Sequence, residues 1–107
     1  MSWRVEIPNE TVAREIESLP GDMQAKFLRI VNLIEQFGLT AVREPYVKHL
    51  EDKLWEMRLK GRDGIARALY IAAVGERVVV LRAFLKKTQK TPRSEIDIAL
   101  KRAKEFL

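Results

Sequence analysis

Leu54-Trp55-Glu56-Met57-Arg58-Leu59-Lys60, Ile65-Ala66-Arg67-Ala68-Leu69-Tyr70-Ile71 and Arg77-Val78-Val79-Val80-Leu81-Arg82-Ala83-Phe84-Leu85-Lys86 follow one another along the chain. Gly61-Arg62-Asp63-Gly64 forms the first turn and Gly75-Glu76 the second connection. The first stretch alternates, with Trp55, Met57 and Leu59 on one face and Glu56, Arg58 and Lys60 on the other. That is the two-residue period of a strand. Ala66 to Val74 and Arg77 to Lys86 read as two more strands, the last rich in Val and Leu. Turns this short join antiparallel neighbours, so the three strands form a meander.

Upstream, Trp3, Val5 and Ile7 alternate with polar residues in a short opening strand that Pro8 ends. Asn9 is suited to cap a helix running to about Ser18, with Val12, Ile16 and Leu19 as its apolar stripe. Pro20-Gly21 breaks it, and Asp22 caps a second helix to about Phe37. Phe27, Ile30, Val31, Ile34 and Phe37 give that helix a core face, and Gly38 stops it. Residues 39–53 show no clear period, and Pro45 argues against a continuous helix there. Downstream, Thr91 as N-cap and Pro92 in the first turn open a helix that buries Ile96, Ala99, Leu100, Ala103 and Phe106. Trp3 and Trp55 are assigned to the core. The order is β-α-α-β-β-β-α, an α+β fold: an antiparallel sheet with an added N-terminal strand, two N-terminal helices and one C-terminal helix. The helices pack on one face, and the other face is partly open and carries the charges.

The 107 residues suit a single domain spanning 1–107. At 47% hydrophobic the chain can bury a core. Its net charge of +5 is uneven: residues 1–50 carry six Lys/Arg against seven Asp/Glu, and residues 51–107 carry fourteen against eight. With no cysteine, disulfides and thiolate metal sites are excluded. The first residues lack the apolar core of a signal peptide, and no apolar run approaches a membrane span. The expectation is a soluble, cytoplasmic protein without membrane contact. No Ser-His-Asp set, phosphate-cradling glycine motif or metal cluster is visible, so no cofactor or metal is expected.

From Arg82 to Arg93 there are three lysines, two arginines and no acid. Lys and Arg this close to a helix start make an anion site, and for a basic protein the natural anion is a nucleic-acid phosphate.

Leu54-Trp55-Glu56-Met57-Arg58-Leu59, Arg67-Ala68-Leu69-Tyr70 and Phe84-Leu85-Lys86-Lys87-Thr88-Gln89-Lys90-Thr91-Pro92 together resemble the phage-derived Gp49-like/HigB branch of the RelE/ParE toxin superfamily. The resemblance covers nearly the whole chain. It implies a RelE-like α/β toxin of a type II toxin–antitoxin pair, most members of which cut messenger RNA on the ribosome without metal. ParE relatives poison DNA gyrase instead, and a non-catalytic nucleic-acid-binding domain is a third reading. The implied partners are mRNA on the ribosome and a cognate antitoxin, one with an acidic segment and a helix-turn-helix DNA-binding part.

Metal-free RNA cleavage requires proton removal from the 2′-hydroxyl, charge stabilisation at phosphorus and proton delivery to the 5′ oxygen. The catalytic candidates are Arg67, Lys87, Lys86 and Arg58. Arg67 interrupts an apolar strand, where a charge needs a partner or a groove; it matches the family's strand arginine, or else it makes a structural ion pair. Arg58 is a phosphate clamp or a solvated strand arginine, and Glu56 on the same face is placed to pair with it. Crowding lowers the pKa of Lys86 and Lys87, or they belong to a solvated charge run with Lys90. The RNA-binding candidates are Arg82, Lys90, Arg93 and Lys60. Arg82 shares a face with Phe84, to stack RNA or to cover an apolar rim. Arg93 opposes the dipole of its helix, which suggests a role outside it. Tyr70 reads as core and His49 as structural or surface. The basic segment has neither Tyr nor His, so the usual proton carrier is unassigned.

Overall fold

The computed structural model describes residues 2–86 and 90–107. In chain order the elements are β1 (Arg4–Glu6), α1 (Glu10–Glu17), α2 (Gly21–Phe37), β2 (Val47–Glu51), β3 (Leu54–Gly61), β4 (Gly64–Ala73), β5 (Arg77–Lys86) and α3 (Arg93–Ala103). Short 3₁₀ turns follow α2 and α3, at Leu39–Ala41 and Lys104–Phe106.

The alternation read in β3 sets its register against β4: Met57 lies opposite Ala68, and Arg58 opposite Arg67. β4 and β5 form the second antiparallel hairpin, with Ile71 opposite Val79. β1 closes one edge, parallel to β5, with Arg4 beside Arg77. The fifth strand, β2, lies in the segment that shows no period, and pairs antiparallel with β3 at the other edge. The sheet order is β1-β5-β4-β3-β2. An edge strand made of Val47-Lys48-His49-Leu50-Glu51 carries too few apolar residues to announce itself.

The helices cover both faces, which corrects the one-face expectation. Asn9 accepts from the backbone N–H of Val12 at 3.0 Å and starts α1 as its sequence predicts. Met23, Phe27, Ile30 and Ile34 of α2, with Val12 and Ile16 of α1, pack on Met57, Leu59, Ala66, Ala68, Tyr70, Val78 and Val80. Ala99 and Ala103 of α3 pack on Leu54, Leu69, Ile71, Val79 and Leu81 on the opposite face. The run Val78-Val79-Val80-Leu81, apolar on both faces, is the pattern of a strand covered twice. Phe37 turns outward at 68% exposure and Trp55 is 38% exposed at the β2 side, so neither is core. Trp55 instead meets the His49 ring edge-on, at 5.1 Å between centroids. The helix starts also differ. Pro20 caps α2 and Asp22 sits inside its first turn, accepting from the Arg62 N–H at 2.7 Å. Pro92 caps α3, and the Thr91 side chain points elsewhere.

One irregularity positions the later chemistry. The β4–β5 register shifts between Leu69 and Tyr70: Tyr70 faces Val80 but Leu69 faces Arg82. Leu81 is therefore an extra residue in β5, a bulge. Before it Val78 and Val80 point to α1 and α2; after it Ala83 does. The bulge thus turns Phe84 and Lys86 to the α3 side of the sheet.

Near the bulge, Arg82 donates to Glu95 of α3 at 2.7 Å and to Glu15 of α1 at 2.6 Å. Arg102 of α3 reaches the same Glu15 and the carbonyl of Leu81 at 2.8 Å. This network ties α1, β5 and α3 together. Among the described residues, no helix is long and apolar enough to cross a membrane.

Gly61 ends β3 under the start of α2: a Cβ there would lie 2.6 Å from an Asp22 carboxylate oxygen and 2.8 Å from Met23 Cγ. Gly61→Ala is expected to lower stability by about 1–3 kcal/mol, read as a drop in the urea midpoint without a change in slope.

Candidate nucleic-acid interface

On the α3 side, the helix covers only one end of the sheet. The other end is lined by Glu56, Arg58 and Lys60 of β3, Arg67 of β4 and Lys86 of β5, which alternation and register bring to one face. Glu56, Arg67 and Lys86 are the three buried charged residues of the described chain, at 2%, 1% and 6% exposure. Arg67 occupies the central strand of five, directly opposite Arg58. Like charges facing across a ladder repel.

Glu56 answers that repulsion. One carboxylate oxygen accepts from Arg67 Nη1 at 2.7 Å, and the other accepts from the Thr91 hydroxyl at 2.5 Å. The expected Glu56–Arg58 pairing is thus replaced by a cross-strand bond to Arg67 and a long-range bond to Thr91. Leaving one member of such a buried pair without the other costs about 3–5 kcal/mol. Arg58 Nε and Lys86 Nζ are buried without a hydrogen-bond partner among the described residues. Buried donors are nearly always bonded, so two such donors on one face of the sheet mark a place for an acceptor. Burial holds the Lys86 ammonium below its usual pKa; Arg67 and Arg58 lower it further, and Glu56 opposes them.

Lys60 is exposed at the end of β3, on the same strand face as Arg58. Lys90 is exposed just before Thr91. Lys87 lies outside the described residues. The structure does not bring Arg82 or Arg93 into this group: the Arg82 guanidinium is bonded to Glu15 and Glu95, and that of Arg93 to Glu51 and Asp97. The misfit of Arg93 with its helix dipole is resolved by those two carboxylates, which hold its pKa above the usual range. Tyr70 is buried on the opposite face, and burial pushes its phenol above the usual range. His49 bonds through Nε2 with the Asp52 carbonyl at 2.6 Å, and the Trp55 ring against it belongs to the face turned away from the groove. The residue that sequence reasoning underrated is Thr91; its hydroxyl resembles a helix cap, and nothing local points it to a glutamate 35 positions earlier.

Residues 14–104 match the model of the phage-derived Gp49-like protein family. The chain belongs to that family. The structure of the archaeal RelE–RelB complex from Pyrococcus horikoshii OT3 contains a chain similar to this one, at 26% identity and a TM-score of 0.58. The match covers 79% of this chain and 96% of that one. Family and fold together place this Gp49-like protein in the RelE-like toxin superfamily. No functionally curated protein matches its sequence.

The lowered Lys86 has a sign that can be checked. In the pH window between its depressed native value and the ordinary lysine range, the unfolded chain holds the proton that the folded chain has released. Stability therefore rises with pH across that window. Lys86→Met removes this term: chemical denaturation as a function of pH is expected to show a smaller alkaline gain for the variant than for the parent chain.

Proposed function

We propose that this Gp49-like protein is the toxin of a type II toxin–antitoxin pair and acts as a metal-free endonuclease on translated mRNA. The observation that carries the reading is the cationic cluster in which Arg58 Nε and Lys86 Nζ are buried without a hydrogen-bond partner among the described residues, beside the Glu56–Arg67 pair. A phosphodiester suits its charge: two guanidinium groups and one ammonium are gathered for an anion whose negative charge grows as the 2′ oxygen adds to phosphorus.

In this mechanism the 2′-oxygen–phosphorus bond forms while the bond from phosphorus to the 5′ oxygen breaks. Solvent accepts the 2′-hydroxyl proton. Arg58 and Arg67 hold the non-bridging oxygens of the pentacoordinate phosphorus. Lys86, whose proton is loosened by burial and by the two arginines, delivers it to the leaving 5′ oxygen. The products are a 2′,3′-cyclic phosphate and a 5′-hydroxyl. Lys60 and Lys90 extend the positive surface toward the flanking backbone, where single strands are held largely by phosphate contacts. Arg82 and Arg93 serve as structural ties in this account. The RelE–RelB structure is a complex; by analogy the partner here is a cognate antitoxin, and the basic second half of the chain suits an acidic segment of it.

Induced expression, with and without the neighbouring open reading frame, tests the reading through growth and mapped RNA 5′ ends. Growth arrest with new cuts inside translated messages is expected, relieved by co-expression of the partner. An Arg58→Ala, Lys86→Met double variant is expected to lose about 100-fold or more of the cleavage. Arrest with intact messages and damaged DNA would replace this account with a ParE-like gyrase inhibitor. Harmless expression would leave only nucleic-acid binding.

A further inference from the structure

Within this buried cluster, Glu56 has a choice of partners. Arg58 lies two residues along β3 on the same strand face, and Lys86 of β5 shares that face of the sheet, where the Glu56 charge raises its pKa. An unrestrained carboxylate there neutralises whichever cation it can reach, and a neutralised cation no longer receives a phosphate. Yet Glu56 bonds neither one. Both of its oxygens are engaged, by Arg67 Nη1 and by the Thr91 hydroxyl, while Arg58 Nε and Lys86 Nζ have no partner among the described residues. The carboxylate is only 2% exposed, so solvent does not compete for it.

We propose that Thr91 is a positioning residue that latches Glu56 onto Arg67 and so keeps Arg58 and Lys86 open to a phosphate group. The inference rests on the phosphate-binding reading of the groove. In it three cations stand around one committed anion on one face of the sheet. Arg67 is aimed by its carboxylate, and Arg58 Nε and Lys86 Nζ are left without a partner among the described residues. The hydroxyl does this without adding charge, where a basic residue at the same place would repel the phosphate's own partners. Thr91 also sits immediately before Pro92, the cap of α3, so the latch joins the start of that helix to the middle of β3.

The test uses the full chain and inorganic phosphate, followed by NMR at the Lys86 side chain and the Arg58 Nε–H. Four proteins are compared with the parent: Thr91→Val, Thr91→Ser, Glu56→Gln, and the Thr91→Val, Glu56→Gln double variant. Thr91→Val keeps the shape and removes the hydroxyl, releasing one oxygen of Glu56 toward the open cations. It is expected to weaken phosphate binding about tenfold, the loss of roughly one charge-assisted hydrogen bond. Thr91→Ser is expected to bind like the parent. The double variant is expected to recover binding, because no carboxylate remains to occupy Arg58 or Lys86. A merely structural threonine would not be rescued by a second change at Glu56. Parent-like binding by Thr91→Val, or a folded double variant as weak as Thr91→Val, would overturn the latch. A parent chain that shows no phosphate-dependent shift would overturn the latch together with the phosphate site. Phosphate binding with the expected variant pattern but no RNA cleavage would uphold the latch and sink only the nuclease.

Discussion

An arginine in the central strand of a sheet persists only with an anion against it, and the Glu56–Arg67 pair meets that condition here. Its consequences run outward. Arg67 is fully buried, so its partner must come from a neighbouring strand on the same face, and Glu56 is placed there by the β3–β4 register. The same register sets Arg58 directly opposite Arg67. A one-residue slip would move all these charges to the apolar face under α2, where nothing offsets them. The pair is weak evidence of added stability, because well-packed apolar residues often do as well. Its retention beside two open donors is what gives it a functional reading.

The rest of the fold delimits which end of the sheet holds those charges. α1 and α2 cover one face completely enough to bury Met57, Leu59, Ala66 and Ala68. On the other face α3 packs on Leu54, Leu69, Ile71, Val79 and Leu81, away from the end of the sheet that carries Arg58, Arg67 and Lys86. Glu15, Arg82, Glu95 and Arg102 hold α3 in that place by ion pairs to both α1 and β5. The bulge at Leu81 completes the arrangement, since without its extra residue Lys86 would face α1 and α2. Cation placement in the groove is therefore a property of register and helix length together.

Much of this was readable in one dimension. Asn9 announced its helix, Gly38 ended the next, and the bounds of β5 at Arg77 and Lys86 followed from its apolar run. Arg67 stood out because a charge interrupted an apolar strand. Other features depend on distances that a sequence does not display. Glu56 pairs across the sheet, 11 residues on, in preference to its neighbour on the strand. Thr91 reaches Glu56 only after the chain has turned back. Arg82 reads as an RNA-binding or rim arginine because Glu15, which holds it, comes from α1, 67 residues earlier. β2 escaped notice because an edge strand with one exposed face needs little apolar content. The continuous run from Val78 to Leu81 did carry the sign of two covered faces.

The central claim is that the buried cations of this groove receive an RNA phosphate. The most direct measurement is the salt dependence of binding to a single-stranded RNA made uncleavable by 2′-O-methyl groups, for the parent chain and for Lys86→Met. If Lys86 contacts a phosphate, the slope of log affinity against log salt falls by about 0.7 in the variant, the share of one single-strand phosphate contact. An unchanged slope, with the fold intact, would contradict the account and assign the RNA to another part of the basic surface.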